Sequence, residues 1–385
     1  MTEPDRPQGV AVYVHWPYCA RICPYCDFNV VRDRGRAAEQ ADLVSAILDD
    51  LDAQAARLGH RPLASLFFGG GTPSLMAPEA VGRIVAAARR AFPTNEPVEV
   101  TLETNPTDAE AARFEALAEA GVNRLSLGVQ ALDDASLRFL GRNHGAEEAR
   151  RAARLAGRLF PRLSIDLIYA RPGQTVEAWA EELRVALDLG FEHVSPYQLT
   201  IEPTTAFGRA FARGSLTPPP EDAAADLYDA TQVVLGDAGF EAYEVSNHAR
   251  DAAARSTHNL HVWRGGDYVG VGPGAHGRLT LDGVRHTTVA HRRIADYASG
   301  VAVGRPWAET ETLSPQQTAE ERLLLALRVS EGAPLSLLAE LGLAPSADPV
   351  ADLIQDGFLI VREGRIAATD RGRPVLDAVL RALLT

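Results

Sequence analysis

The sequence predicts an α/β protein built on a parallel β-sheet, and two observations support this class. The first two hundred residues alternate short β-branched or apolar runs with longer helical patterns. The composition, 46% hydrophobic and 23% charged over 385 residues, is typical of a soluble globular chain with one large domain and appendages. Six strand-then-helix units indicate a parallel sheet, which right-handed crossovers would close fully or partly into a TIM-like (β/α)6 barrel. Periodicity alone leaves an open doubly wound sheet as an alternative.

Each predicted strand is a short apolar run, and each predicted helix is a longer segment with helical periodicity. The predicted strands are Val10–Trp16, Ser65–Phe68, Val98–Glu103, Arg124–Val129, Ser164–Tyr169 and His193–Leu199. The predicted helices are Ala37–Leu58, Pro78–Phe92, Asp108–Ala120, Ala146–Leu159 and Val176–Leu189.

The regular alternation stops after about residue 215, which predicts a change of architecture. A helix is predicted at Glu221–Asp237, and the glycine-rich stretch Gly265–Gly277 is predicted to be loop or tight turns. Near the C-terminus, short strands at Phe358–Val361 and Arg365–Ala368 lie between helices, which is typical of a winged-helix-like module. The sequence therefore predicts a barrel core over 1–215, a smaller α+β extension over 216–310 and the winged-helix-like module over 311–385.

Charge and hydropathy exclude several classes of protein. The formal net charge of -13 repels phosphate backbones, so a nucleic acid is not expected as a partner. No run reaches the roughly 18 apolar residues of a membrane span, and Met1–Gly9 has no apolar signal core. We therefore expect a cytoplasmic protein, in which three cysteines within eight residues indicate metal binding rather than disulfides.

The cysteines Cys19, Cys23 and Cys26 form a CxxxCxxC pattern directly after the first predicted strand. Thiolates are the usual ligands of iron–sulfur clusters, and three of them leave one iron of a four-iron, four-sulfur (4Fe-4S) cluster open. The amine and carboxylate of an amino acid suit that iron, and the methionine end of S-adenosylmethionine (SAM) supplies both. The alternative is a structural zinc site completed by His15, but zinc ligands usually occur as two separated pairs.

Together with this pattern, three further stretches carry a resemblance to a known family. They are FFGGGTPS at 67–74, RLSLGVQ at 124–130, and HNLHVW followed by GVGPGAHGR within 258–278. Over nearly its full length the chain resembles the radical SAM superfamily, in the branch of oxygen-independent coproporphyrinogen III oxidase and the haem chaperone HemW. The resemblance implies a partial radical SAM barrel, with the 4Fe-4S cluster and SAM as cofactors.

The resemblance also implies which residues contact SAM. Glycines admit a ligand close to the backbone, and the corresponding family loop contacts the SAM amino group. Carboxylates suit ribose hydroxyls or a sulfonium, and arginine suits a carboxylate. Several of these positions lie at or just after predicted strands, which places them at one rim of a barrel. The implied SAM-binding residues are Tyr13, Tyr25, Gly70, Gly71, Thr72, Glu103, Gln130, Arg142 and Asp166.

Differences within the branch favour the haem chaperone over the oxidase. The oxidase pattern has a fourth cysteine where this chain has Phe28, and a substantial arm before the cluster, whereas here the first cysteine is residue 19. The chaperone family has an HNxxYW motif, which this chain matches except for Val262 in place of tyrosine. Histidine is a common axial haem ligand. The expected haem-binding residues are His258, Asn259 and Trp263, with His261 as a further candidate ligand.

The expected function is therefore to bind haem and pass it to an apo-haemoprotein, with a respiratory protein as the expected acceptor. The first alternative is a coproporphyrinogen III oxidase of porphyrin biosynthesis, and the second is another radical SAM enzyme with a small substrate. Transfer to a respiratory membrane protein would require a peripheral membrane contact, although no strongly amphipathic basic helix is evident. The sequence leaves open a homodimer, cleavage of SAM in turnover and the identity of the acceptor.

Overall fold

A computed structural model describes residues 7–384; Met1–Arg6, part of the polar N-terminus discussed above, and Thr385 lie outside the described residues. The strands are β1 (Val10–Trp16), β2 (Tyr18–Cys19), β3 (Val31–Arg32), β4 (Leu63–Gly70), β5 (Glu99–Thr104), β6 (Arg124–Gln130), β7 (Arg162–Tyr169), β8 (His193–Gln198), β9 (Glu241–Glu244), β10 (Asn247–Ala249), β11 (Asp267–Val271), β12 (His276–Leu281), β13 (Val284–Ala290), β14 (Trp307–Thr312), β15 (Ala333–Pro334), β16 (Leu359–Arg362) and β17 (Arg365–Ala368). The helices are α1 (Ala37–Leu58), α2 (Pro78–Ala91), α3 (Asp108–Ala111), α4 (Phe114–Glu119), α5 (Asp134–Phe139), α6 (Ala146–Leu159), α7 (Val176–Leu187), α8 (Ala206–Ala212), α9 (Glu221–Asp237), α10 (Thr257–Trp263), α11 (Ile294–Ala302), α12 (Pro315–Ala326), α13 (Leu335–Glu340), α14 (Asp348–Gln355) and α15 (Leu376–Leu384).

One large mixed sheet organises the described chain, and it confirms the predicted α/β class. Its strand order is β14-β13-β12-β11-β1-β4-β5-β6-β7-β8-β10-β9. Strands β11, β1, β4, β5, β6, β7 and β8 run parallel, and antiparallel strands extend both sides. The outermost strands of this sheet, β14 and β9, are not neighbours in the strand order, so the sheet is open. An open parallel sheet of this order fits the predicted partial barrel.

The six predicted strands and most predicted helices occur within two residues of their predicted bounds. The exception is the predicted helix Asp108–Ala120, which is divided into α3 and α4. Arg113 lies at this break, where its guanidinium donates to the backbone oxygens of Ser74 and Met76, the latter at 2.5 Å. These tertiary hydrogen bonds accompany an interruption that helical periodicity does not reveal.

The prediction that Gly265–Gly277 is loop or tight turns was wrong for much of its length. Residues Asp267–Val271 form β11, which pairs in parallel with β1, and β12 begins at His276. A Cβ atom at Gly270 would lie 1.9 Å from the backbone oxygen of His276. Glycine is therefore required because two adjacent strands approach closely, and the segment supplies the seventh parallel strand of the described sheet.

The predicted extension over 216–310 shares its core with the barrel, whereas the C-terminal residues have a core of their own. Residues of α9, β11, β12 and α11 pack in the same hydrophobic cluster as β1 and β4. A separate cluster contains Leu323, Leu338, Val350, Ile366 and Val379. Its elements follow the order helix, strand, helix, helix and hairpin, which is the order of a winged helix. None of the described helices is both long enough and apolar enough to cross a membrane.

Candidate cluster and cofactor site

A cavity of about 700 Å³ runs from the carboxyl ends of the parallel strands into the interior of the barrel. Ligands commonly bind at this edge of a parallel sheet. Thirteen of the predicted site residues line it: Cys19, Cys23, Tyr25, Cys26, Gly70, Gly71, Thr72, Glu103, Gln130, Arg142, Asp166, Asn259 and Trp263. Three predicted site residues, Tyr13, His258 and His261, are not among the residues that line it. The structure thus brings the three cluster cysteines together with all the predicted SAM residues except Tyr13, whereas the two histidines do not line the cavity.

The cysteine loop is closed by a short pair of strands that sequence analysis missed. Strand β2 pairs in parallel with β3, and the backbone N–H of Asp33 donates to the oxygen of Cys19 at 2.8 Å. The loop is also packed from outside, because a Cβ atom at Gly141 would lie 2.5 Å from Cδ of Pro24. The loop geometry that presents the thiols is therefore fixed by backbone pairing and by packing.

The three thiols do not form a site for a single metal ion with the other described side chains. Among residues 7–384, no three His, Cys, Asp or Glu side chains converge closely enough to hold one ion. Each cysteine of a cubane binds a different iron, so the thiols need not converge on one point. His15, the candidate fourth zinc ligand, has both ring nitrogens engaged, one with the Tyr13 hydroxyl at 3.2 Å and one with the backbone oxygen of Asn29 at 2.9 Å. The zinc alternative is not supported by this geometry.

Arg142 connects the cysteine loop to the ends of the neighbouring strands. Its Nη1 lies 3.4 Å from both the Cys23 sulfur and the Tyr25 hydroxyl, and its Nη2 donates to the backbone oxygen of Gly128 at 2.8 Å. Nη2 also donates to the side-chain oxygen of Asn105. Its buried Nε has no hydrogen-bond partner in the part of the chain that the structure describes. Arg142 therefore holds positive charge beside the thiols and retains one donor for a further group.

The glycine loop after β4 lies directly beside the cysteine loop. A Cβ atom at Gly71 would lie 2.7 Å from the backbone oxygens of Trp16 and Tyr18, so a side chain cannot be accommodated there. The N–H of Gly70 donates to Glu103 at 3.2 Å. Burial, reinforced by the nearby Asp166, raises the pKa of Glu103 from 4.5 to about 8. A cationic ligand beside Glu103 would favour its ionised form.

Asp166 and Gln130 present further polar groups to the cavity. Asp166 accepts a hydrogen bond from the Ser126 hydroxyl at 2.8 Å, and its buried Oδ1 has no partner. Burial raises the pKa of Asp166. Gln130 has φ of +68°, a rare conformation for a residue other than glycine, and occurs where the pairing of β6 with β7 shifts register. These unsatisfied or strained polar groups fit a polar cationic cofactor such as SAM.

The HNLHVW segment forms α10, which packs on the cavity side of β1 and β4. His258 is 7% exposed, and its Nδ1 lies 2.9 Å from the Ser65 hydroxyl. Its ring centroid lies 4.9 Å from that of Phe67, with the two ring planes tilted by 32°, and burial lowers its pKa to about 3. His261 is also buried, with Nε2 2.8 Å from the backbone oxygen of Asp267. Axial ligation by either imidazole would require α10 or these side chains to move, and their role in haem binding stays a prediction.

Sequence analysis missed a second set of cavity residues. The lining also includes Arg124, Ser126, Ser164, His193, Ser195, Tyr197, Glu244, Asn247 and Arg328. A signal for several of them was present, because polar residues alternate along three strands as Arg124-x-Ser126, Ser164-x-Asp166 and His193-x-Ser195. Alternate residues of a strand share one face, so this pattern indicates a polar barrel interior. Asn105 forms hydrogen bonds with both Arg142 and Thr72. It lies just after β5, outside the alternating pattern, so the sequence indicated it less clearly.

Comparison with known proteins identifies two matching family models and several relatives of similar length. Residues 13–186 match the radical SAM superfamily, and residues 313–375 match the HemN C-terminal domain. The haem chaperone HemW of Escherichia coli (strain K12) is 36% identical over 97% of this chain and 98% of its own length. The mitochondrial radical S-adenosyl methionine domain-containing protein 1 of Bos taurus is 38% identical over 98% of this chain and 88% of its own.

A solved structure supports the same fold. Coproporphyrinogen III oxidase (HemN) from Escherichia coli superposes with a TM-score of 0.81, over 100% of this chain and 92% of its own, at 22% identity. At 22% identity, this likeness supports the fold but not a shared function. The sequence relatives, by contrast, match over almost their whole length at more than 30% identity. The chain therefore belongs to the radical SAM superfamily, in the family of the HemW proteins.

Proposed function

We propose that this protein is a haem chaperone that binds haem and passes it to an apo-haemoprotein, with a respiratory protein as the expected acceptor. The observation that carries the proposal is the likeness to Escherichia coli HemW over nearly the whole of both chains. Cys19, Cys23 and Cys26 would hold the 4Fe-4S cluster, and the residues around Glu103 and Arg142 would hold SAM. A cytoplasmic location suits this proposal because it keeps three clustered thiols reduced.

The rim of the cavity supports haem binding on physical grounds. Phe28 and Ile22 line the cavity and are 61% and 46% exposed, respectively. Tyr197 lines it as well and is 41% exposed. Large apolar side chains grouped in water commonly mark a binding surface, and a porphyrin is a flat apolar ligand. Phe28 also occupies the position of the oxidase's fourth cysteine, so the rim is apolar where the oxidase pattern has a thiol.

The chemistry that a bound 4Fe-4S cluster would supply to this site is one-electron reduction of SAM. The protein's own residues would hold the cluster and SAM in place. The thiols would hold the cluster, and Gly71 lets the glycine loop pack directly against the backbone of Trp16 and Tyr18 beside the cysteine loop. Arg142 places positive charge beside Cys23.

The test uses anaerobically reconstituted protein with its cluster verified. We expect haem to bind, to transfer to an apo-haemoprotein, and no porphyrin product to form from coproporphyrinogen III, SAM and a reductant. Phe28→Ser should weaken haem binding, whereas Phe211→Ser is the control, because Phe211 is 52% exposed but does not line the cavity. Formation of protoporphyrinogen with 5′-deoxyadenosine would instead identify an oxidase. Protein that binds no haem would refute the proposal.

A further inference from the structure

The inner end of the cavity is polar and is not used by the predicted cluster or SAM residues. It is lined by Arg124, Ser164, His193, Ser195, Asn247 and Trp263, which we call the polar floor. Arg124, Ser164 and His193 lie at the starts of neighbouring strands, opposite the end that carries the cysteine loop. The cavity volume of about 700 Å³ is within the usual range for small-molecule sites.

The polar floor carries an excess of positive charge. Arg124 has a side chain only 3% exposed, and its one ion-pair partner in the described chain is Glu99, with Nε to Oε2 at 3.9 Å. Glu99 is bound more closely by Arg162, at 2.5 Å, and accepts two backbone N–H groups at the start of α10. Two guanidinium groups therefore share one carboxylate. Burying a charge without a full partner is unfavourable, and an anion on the floor would relieve it.

The other titratable groups facing Arg124 do not neutralise it. His193 has Nδ1 2.7 Å from the Ser164 hydroxyl and Nε2 2.8 Å from the Tyr243 hydroxyl, and burial lowers its pKa well below the usual value. It is therefore neutral. Asp166 accepts a hydrogen bond from Ser126 and interacts electrostatically with Arg124, but it forms no ion pair with Arg124 among the described contacts, and burial raises its pKa. Glu244 is already held by Arg328 at 2.6 Å.

Two buried donors on the floor have no hydrogen-bond partner among residues 7–384. They are Nη2 of Arg124 and Nε1 of Trp263. An unpaired buried donor is unfavourable, so a ligand that accepts hydrogen bonds from both atoms would be stabilised there. We propose that the polar floor binds a carboxylate group, whose oxygens accept hydrogen bonds from Arg124 and Trp263. Guanidinium and carboxylate form strong charge-assisted hydrogen bonds, and an indole N–H can only donate.

The carboxylate has two sources. One is a propionate of haem that reaches into the barrel, and this source rests on the proposed function. The other is a free small dicarboxylate, which does not depend on haem binding at all. Both would place the same chemical group against Arg124, and they are separated by the choice of probe.

The experiment compares cluster-loaded wild type with Arg124→Lys, Arg124→Gln and Trp263→Phe. Trp307→Phe is a matched control, because Trp307 also has an unpaired Nε1 and a guanidinium over its ring, that of Arg57 at 4.6 Å, but does not line the cavity. In Trp263 the corresponding guanidinium is that of Arg328, at 4.5 Å. Thermal unfolding identifies variants that do not fold. If the Arg124 variants do not fold, the comparison of wild type with Trp263→Phe tests the proposal.

The first arm measures affinity for haem and for haem dimethyl ester by absorbance titration. A propionate source predicts that wild type prefers haem by about tenfold or more, the value of one charge-assisted hydrogen bond. That preference should disappear in Arg124→Gln, fall in Trp263→Phe and Arg124→Lys, and persist in Trp307→Phe. The second arm measures succinate binding by calorimetry. A free-carboxylate source predicts that wild type and Trp307→Phe bind succinate, whereas Arg124→Gln does not.

The proposal is overturned if wild type neither distinguishes haem from its ester nor binds succinate. It is equally overturned if Arg124→Gln and Trp263→Phe retain whichever preference the wild type shows. A wild type that binds succinate but no haem would refute the haem chaperone function and support the polar floor. The two failures are thus distinguishable.

Discussion

Replacing Glu103 by glutamine should stabilise the protein without SAM and weaken its binding of SAM. Glu103 faces the cavity, accepts a hydrogen bond from Gly70 at 3.2 Å, and has its pKa raised to about 8 by burial and by Asp166. A carboxyl group with a raised pKa binds its proton more tightly in the folded than in the unfolded protein. The stability it contributes is complete at low pH and is lost as the pH rises from about 4.5 to 8.

The magnitude follows from the same pKa. The interval between 4.5 and about 8 corresponds to roughly 5 kcal/mol at about 1.4 kcal/mol per pH unit. Glu103 lines an open cavity, where water screens its charge, so we expect about 2 kcal/mol. Glutamine carries no ionisable proton, so Glu103→Gln should gain this stability relative to wild type between pH 5 and pH 8.5. For SAM, loss of the carboxylate should reduce affinity by roughly tenfold or more, the value of a charge-assisted hydrogen bond.

The assay is urea unfolding of cluster-loaded protein without SAM, at several pH values from 5.5 to 8.5, with SAM affinity measured on the same samples. Glu119→Gln, at an exposed position in α4, is the control and should follow wild type throughout. Wild-type affinity for SAM should rise with pH towards 8, as Glu103 ionises, whereas that of Glu103→Gln should not. Parallel stability curves for wild type and Glu103→Gln would show that Glu103 is not perturbed and would refute the reasoning.

Three further changes have expected outcomes. Each single cysteine-to-alanine variant should lose the cluster, because three thiolates are the minimum set, and iron content with visible absorbance checks this. Arg328→Met should lower the free energy of unfolding by about 3 kcal/mol in urea titrations, because it leaves buried Glu244 without its closest charge partner; a loss below about 1 kcal/mol would contradict this. His258→Ala should abolish haem binding in absorbance titrations if His258 is the ligand, whereas Ser65→Ala, which removes only the hydrogen bond to its ring, should retain it.

The fold was predictable where the pattern is local and repetitive. Strand β1 and helix α1 have the predicted bounds, because apolar runs and helical periodicity are properties of neighbouring residues. The sequence did not reveal β11, since its one glycine, Gly270, is required by close contact with β12 rather than by turn geometry. It also missed the pairing of β2 with β3, because two residues are too few to form a pattern.

The site was predictable where residues follow strands and unpredictable where partners are distant in sequence. Cys19, Gly70 and Glu103 come directly from loops and strand ends, and the structure places all three around one cavity. Arg124 was not proposed, because a charged residue at the start of a strand is usually exposed, whereas tertiary structure buries this one beside Glu99. The positions of the histidines in α10 were also beyond sequence reasoning, since packing of α10 on β4, β1 and β11 decides their burial.

Helix α10 contributes residues to both predicted ligand sites. His258 packs against Phe67, which lines the cavity, while Asn259 and Trp263 of the same helix line the cavity directly. A movement of α10 that exposed His258 to haem iron would therefore also displace one wall of the cavity that SAM is expected to occupy. Linkage is reciprocal, so any effect of haem on SAM affinity must equal the effect of SAM on haem affinity. If such an effect exists, α10 is the element through which we expect it to act, because residues of this one helix contact or line the cavity at both predicted sites.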